Sequence, residues 1–166
     1  MGFLAKLFGV VLRTHLKGIC LGRDAAWEVS PISDLPAFLR ALPCLLPPES
    51  ILYLEGGTPP KNIKAFLDAR RVPEVSHIAM GTIWPKPKIF HLPATAGSLG
   101  TLAEFAEKVA TSQVAVHLHV YINGRVLLEW YDAFGKDPFY LSAAISENKV
   151  KDFCSVLSLT YKRLGE

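Results

Sequence analysis

Long apolar runs, paired cysteines and a surplus of one charge are all missing from this chain, and each absence removes a class of protein. Its three cysteines, Cys20, Cys44 and Cys154, stand far apart with no C-x-x-C pair, so neither a disulfide framework nor a zinc knuckle is expected. Cys44 and Cys154 fall at apolar positions of predicted helices, where inert buried thiols are common. A reducing cytoplasm is the compartment this usage implies. The formal net charge of +3 offers no bulk attraction for nucleic acid. No stretch supplies the ~18 consecutive apolar residues of a membrane-spanning helix. A secretory leader is not expected either, because Lys6, Arg13 and Lys17 interrupt the first apolar region and no A-x-A cleavage pattern follows. Gly2 is followed by Lys6 where a myristoylation signal requires Ser or Thr.

Catalytic and cofactor fingerprints are equally scarce. The chain contains no G-x-x-x-x-G-K-[ST] loop, no G-x-G-x-x-G turn and no G-x-S-x-G elbow. No internal repeat or low-complexity tract divides it. Half of the 166 residues are apolar and a fifth charged, which suits one globular domain with a substantial core.

Wound as a helix at ~100° per residue, Lys6, Arg13 and Lys17 fall within an arc of roughly 40°. Phe3, Leu4, Leu7, Phe8, Val11 and Leu12 cover the opposite side. The pattern predicts an amphipathic helix over residues 1–22, ahead of a single α+β domain over 23–166. Residues 3–19 suit packing on the domain's own sheet or on a partner chain, and equally an in-plane membrane helix.

Downstream, residues 25–30 read as a strand. Asp34 caps a helix with Leu35, Phe38, Leu39 and Leu42 inward, stopped by Pro43 or by Pro47-Pro48. A strand over 50–55 closes at Gly56-Gly57, and Thr58 with Pro59 predicts the start of a helix that buries Ile63, Phe66 and Leu67. That strand–glycine–helix turn exposes backbone donors as an anion site would, but Pro59 and Pro60 remove two of them. Residues 77–83 and 88–92 read as two strands joined through Trp84-Pro85-Lys86-Pro87. A helix over 98–111, a hairpin, a short strand over 139–143 and a helix capped by Ser146 complete the order. Short connections and the hairpin favour a mixed or mostly antiparallel sheet of five to seven strands with helices on its faces.

The hairpin over 114–132, VAVHLHVYINGRVLLEWYD, carries the most detail. Asn123-Gly124 between alternating runs is the strongest short-range turn signal, since a type I′ turn needs φ > 0 at both central positions. It predicts Ile122 opposite Arg125, Val120 opposite Leu127 and Leu118 opposite Glu129. Ala115, His117, His119 and Tyr121 then share one face with Val126, Leu128, Trp130 and Asp132. Glu129 lies on the other side, and becomes a site candidate if buried without an ionic partner.

Residues i and i+2 of a strand lie ~6.5–7 Å apart on one side, so His117 and His119 can reach one metal ion. A third ligand would come from Asp132, His91 or His77, and Asp132 could instead orient His117 as a hydrogen-bonded partner. The same pair also suits a metal-free acid–base role, with Trp130, Tyr121 and Trp84 as candidate ligand-binding walls. Between residues 61 and 88, Lys61, Lys64, Arg70, Arg71, Lys86 and Lys88 outnumber Asp68 and Glu74. A solvated face is the simplest account of that cluster, with a phosphate-binding patch as its alternative.

Since no complete catalytic constellation is present, the sequence predicts a non-catalytic domain that binds another protein or itself, with no cofactor. The alternative is a small metal- or histidine-dependent enzyme built on His117 and His119.

Overall fold

A computed structural model of the chain describes residues 18–165. The amphipathic segment falls mostly outside these residues, and its last five positions, 18–22, are not helical. Ile19 there makes an isolated parallel bridge with Ile78.

The Asn-Gly step reverses the chain as expected, with φ of 43° at Asn123 and 76° at Gly124. It joins β4 (His117–Ile122) to β5 (Arg125–Trp130). With β1 (Ala26–Val29), β2 (Ile51–Glu55), β3 (Ile89–Pro93), β6 (Phe139–Ser142) and β7 (Tyr161–Arg163) they form a seven-stranded sheet of order β3-β2-β4-β5-β6-β1-β7. Every strand pair in it is antiparallel. The molecule is a single α+β domain.

Helices α1 (Leu35–Leu45), α2 (Lys61–Arg70), α3 (Ala96–Ala106), the short α4 (Thr111–Val114) and α5 (Glu147–Val156) connect the strands. Asp34 caps α1, its Oδ1 accepting the Ala37 N–H at 2.9 Å. The helix runs through Pro43, and the Leu46 N–H closes the last turn on the Leu42 carbonyl at 3.1 Å. The helix predicted from Thr58 starts later, at Lys61. The residue before a proline is disfavoured in the helical region, which weighs against Pro59 opening the helix, and Pro60 itself is extended, with ψ of 161°. Pro60 becomes the cap, its carbonyl accepting from Lys64 N–H at 2.8 Å.

Three other expectations need correction. Residues 77–83 form no strand beyond the Ile78 bridge, because the Gly81 and Thr82 N–H groups bond a glutamate side chain instead of a ladder. The helix predicted over 98–111 divides into α3, capped by Thr95, and α4. Cys44 is exposed, and only Cys154 is buried; burial pushes its thiol up to about 11.

The hairpin departs from its predicted register beyond the first pairs. Ile122 opposes Arg125 and Tyr121 opposes Val126, but Val120 opposes Leu128 and Leu118 opposes Trp130. Leu127 is the extra residue of a β-bulge, and one extra residue exchanges the faces of everything beyond it. Trp130 and Leu128 therefore join Leu118 and Val120 in the main core, while Glu129 turns to the histidine side opposite His119.

On the helix-covered face, Phe38 of α1 is the hub. Its ring lies 5.3 Å from Trp130, 5.7 Å from Phe134, 5.6 Å from Phe139 and 6.0 Å from Phe153, centroid to centroid. These tilted and edge-on geometries are the favourable ones for aromatic pairs. Phe38→Ala is expected to cost about 3–5 kcal/mol. Urea unfolding should show a lower midpoint at unchanged slope, and a cost below ~1 kcal/mol would remove the hub assignment.

Candidate functional site: the polar face of the sheet

The face opposite the main core carries a row of polar side chains in register across all seven strands. It runs His91, Tyr53, His119, Glu129, Tyr140, Glu28 and Lys162. The neighbouring row brings Ile89, Glu55 and His117 together. Antiparallel pairing creates both rows, because it aligns alternate residues of strands remote in sequence. Glu55, His91, His117, His119 and Glu129 are all buried.

Among the described residues, no α-helix covers these groups. Residues 72–82 lie over them and are stitched down at several points. Glu55 Oε1 accepts the Thr82 N–H at 2.6 Å, and Oε2 accepts the Gly81 N–H at 3.1 Å and the Tyr53 hydroxyl at 2.6 Å. The Tyr131 hydroxyl donates to the Ala79 carbonyl at 2.9 Å, and the Gly124 N–H donates to Ser76 Oγ at 3.1 Å. Gly81 sits so close that a Cβ there would come within 2.6 Å of His117 Nε2. On the other side, Glu129 Oε2 accepts the Leu21 N–H at 2.9 Å and Oε1 lies 3.6 Å from Arg23. The Arg23 guanidinium also stacks 3.7 Å from the centroid of the Tyr140 ring.

His117 and His119 share a side of the ribbon, as predicted, but their companion is Tyr131. Its ring centroid lies 5.6 Å from that of His117 and 4.7 Å from that of His119. The wall expected from Trp130 is absent, since the bulge places that indole in the main core. His117 Nδ1 accepts the Asp132 backbone N–H at 2.9 Å, and His119 Nδ1 accepts the Trp130 backbone N–H at 3.4 Å. An Nδ1 that accepts carries no proton, so each neutral ring holds its proton on Nε2, the reverse of the tautomer that metal ligation through Nε2 requires. Asp132 meets His117 through this backbone N–H; its carboxylate is 3.8 Å away and 75% exposed.

His91 bonds the Tyr121 hydroxyl at 2.9 Å through Nδ1. His77 stands apart on the surface, 2.9 Å from Glu74. Among the described residues, no three His, Cys, Asp or Glu side chains converge to hold a metal ion. Trp84 is exposed on the loop before β3 and forms no wall of a buried histidine site. Sequence reasoning missed the buried Tyr53–Glu55 pair, which was signalled by alternation within ILYLE that puts both residues on one side.

Burial governs the titration of these groups. The Tyr53 phenol is driven far above its ordinary range by burial, then by its bond to Glu55 and that carboxylate's charge. Tyr121 is raised by burial against a hydrogen bond with the Val75 backbone. The His91 imidazole is held below its ordinary value by burial, with Arg71 acting in the same direction and Glu74 opposing.

The accessible concavity beside this face lies outside the edge strand β3. It is a cleft of about 460 Å³ between α2 and residues 86–91, lined by Lys64, Asp68, Arg71, Glu74, Lys86, Lys88 and His91 with Pro87, Ile89 and Phe90. A second, mostly apolar groove of about 480 Å³ runs between α1 and α5.

Comparison of the chain with protein-family models, with curated proteins and with solved structures finds no match in any of the three.

Two outcomes follow from this chemistry. Glu55→Gln replaces one acceptor oxygen with a donor among three donors, and is expected to cost about 1–3 kcal/mol in urea unfolding; an unchanged midpoint would disprove the carboxylate's role in holding residues 81–82. For His91, a folded value below the unfolded 6.5 means that the unfolded chain takes up the proton first. Its contribution is full above about pH 6.5 and is lost as pH falls towards the folded value. The urea midpoint should therefore drop between pH 7 and pH 5, and drop less in His91→Gln.

Proposed function

We propose that this chain is a non-catalytic protein-binding domain that meets its partner through the loop carrying Ile83 and Trp84. The observation that carries the reading is the exposure of this adjacent pair, 73% for Ile83 and 85% for Trp84. The other two tryptophans, Trp27 and Trp130, are buried, so the chain has no general difficulty in enclosing indoles. Tryptophan is the residue most over-represented among side chains that dominate binding energy at interfaces. Lys86 and Lys88 follow it in the same loop. A matching surface therefore offers an apolar pocket bordered by carboxylates. Like charges would face one another if two copies met loop to loop, which favours a different protein over self-association.

The histidine-dependent enzyme has less support. His117 and His119 are buried beneath residues 72–82 with both Nδ1 atoms occupied. Attachment to a membrane surface rests on residues 3–19, almost all outside the described range. No helix among the described residues is long and apolar enough to cross a membrane.

A photo-crosslinking phenylalanine analogue placed at position 84 of the full chain, in producing cells, should give a discrete protein adduct. The same analogue at the exposed Lys136 should not. With the analogue at position 83, Trp84→Ala should remove the adduct while stability changes by less than about 0.5 kcal/mol. No discrete adduct at position 84, or the same adducts from both positions, would sink the proposal.

A further inference from the structure

We infer that the cleft outside β3 is a binding site for a phosphomonoester carrying a small flat apolar body. Four cations line it: Lys64 from α2, Arg71 just past the end of that helix, and Lys86 and Lys88 from the loop before β3. Two carboxylates accompany them. Asp68 is engaged by Lys64, and Glu74 by His77. Arg71, Lys86 and Lys88 have no ion-pair partner among the described residues. The lining thus has two cations more than it has carboxylates, close to the −1.5 to −2 or so of a phosphomonoester near neutral pH.

Solvated surface lysines lower their mutual repulsion by pointing apart. Here cations from separate segments line one concavity, on backbone that is fastened to the sheet. The Lys88 carbonyl accepts the Gly56 N–H at 3.0 Å, and the Val72 N–H beside Arg71 donates to the His91 carbonyl at 2.9 Å. The site is therefore preorganised, which lowers the ordering cost of binding. Arginine adds a planar fork that matches phosphate oxygens in pairs.

The rest of the lining limits what the phosphate can be attached to. Pro87 and Ile89 supply an apolar wall, and Phe90 also borders the cleft. His91 contributes a side chain that is only 2% exposed, held through Nδ1 by Tyr121. A volume of about 460 Å³ falls within the ~300–1,000 Å³ usual for small-molecule sites. Inorganic phosphate would meet the cations and leave the wall unused.

Phenyl phosphate is a simple probe of this class, and the test is an amide NMR titration of the full chain. Saturable shifts are expected for residues 71, 72, 86 and 88–91, with phenyl phosphate binding at least ~10-fold more tightly than inorganic phosphate. Phenol alone should give no saturable shift there. Removing two charged donors in Arg71→Gln/Lys88→Gln should weaken binding by at least ~10-fold, with Lys88→Gln alone giving a smaller loss. Lys136→Gln is the distant-charge control and should leave affinity unchanged. Trp84→Ala should also bind phenyl phosphate normally, which separates this site from the protein contact. Absence of saturable shifts, shifts centred elsewhere, equal affinity for phosphate and phenyl phosphate, or wild-type affinity in the charge variants would each overturn the assignment.

Discussion

The extra residue at Leu127 sets the chemistry of both sides of the sheet. Side chains alternate along a strand with a period of two, so the bulge reverses every assignment from Leu128 onward. Trp130 is thereby delivered to Phe38, Phe134 and Phe139 in the main core. Glu129 is delivered to the opposite face, beside His119 and within reach of the Leu21 N–H. Without the bulge, a carboxylate would enter the aromatic cluster and an indole would stand among the histidines. Burying an unpaired carboxylate costs far more than any single core contact returns, so this register is strongly selected.

Glutamates on the second face then determine how that face is closed. A buried carboxylate needs donors, and Glu55 and Glu129 obtain them from backbone N–H groups of segments far away in sequence. Residues 81 and 82 are fastened by the first, and residue 21 by the second. Among the described residues, helices thus cover one side of the sheet and hydrogen-bonded loops the other, with a smaller apolar cluster of Leu21, Ala26, Tyr53, Ile78, Tyr121 and Val126 beneath. Closing the histidine face in this way leaves the more accessible chemistry at its margin. Ile83, Trp84, Lys86 and Lys88 follow directly after the fastened residues and lead into the edge strand. Rigid support beneath an exposed loop is how binding residues are commonly presented.

Much of the architecture was readable residue by residue. Asp34 as a cap, the inward stripe of α1, the Asn-Gly reversal and the short strand over 139–142 all rest on local chemistry that the fold preserves. Other elements depended on partners that no local pattern names. β7 is three residues of mixed character that become a strand only because β1 offers an open edge. Residues 77–83 carry strand-like composition, yet their backbone donors are claimed by Glu55. The run Val126-Leu127-Leu128 did hold a signal, because three successive apolar residues break strict alternation where the bulge lies.

By itself, the sequence determined the single α+β domain, its antiparallel hairpin, and the placement of His117 and His119 on one side of a strand. These follow from periodicity and turn geometry, which act over a few residues. Only the tertiary structure decided that the two imidazoles accept backbone hydrogen bonds under a fastened loop, that Tyr131 rather than Trp130 packs against them, and that Arg71, Lys86 and Lys88 line one cleft. Those outcomes turn on register and on which distant backbone donors a buried carboxylate captures, and such long-range competition leaves no periodic trace in the chain.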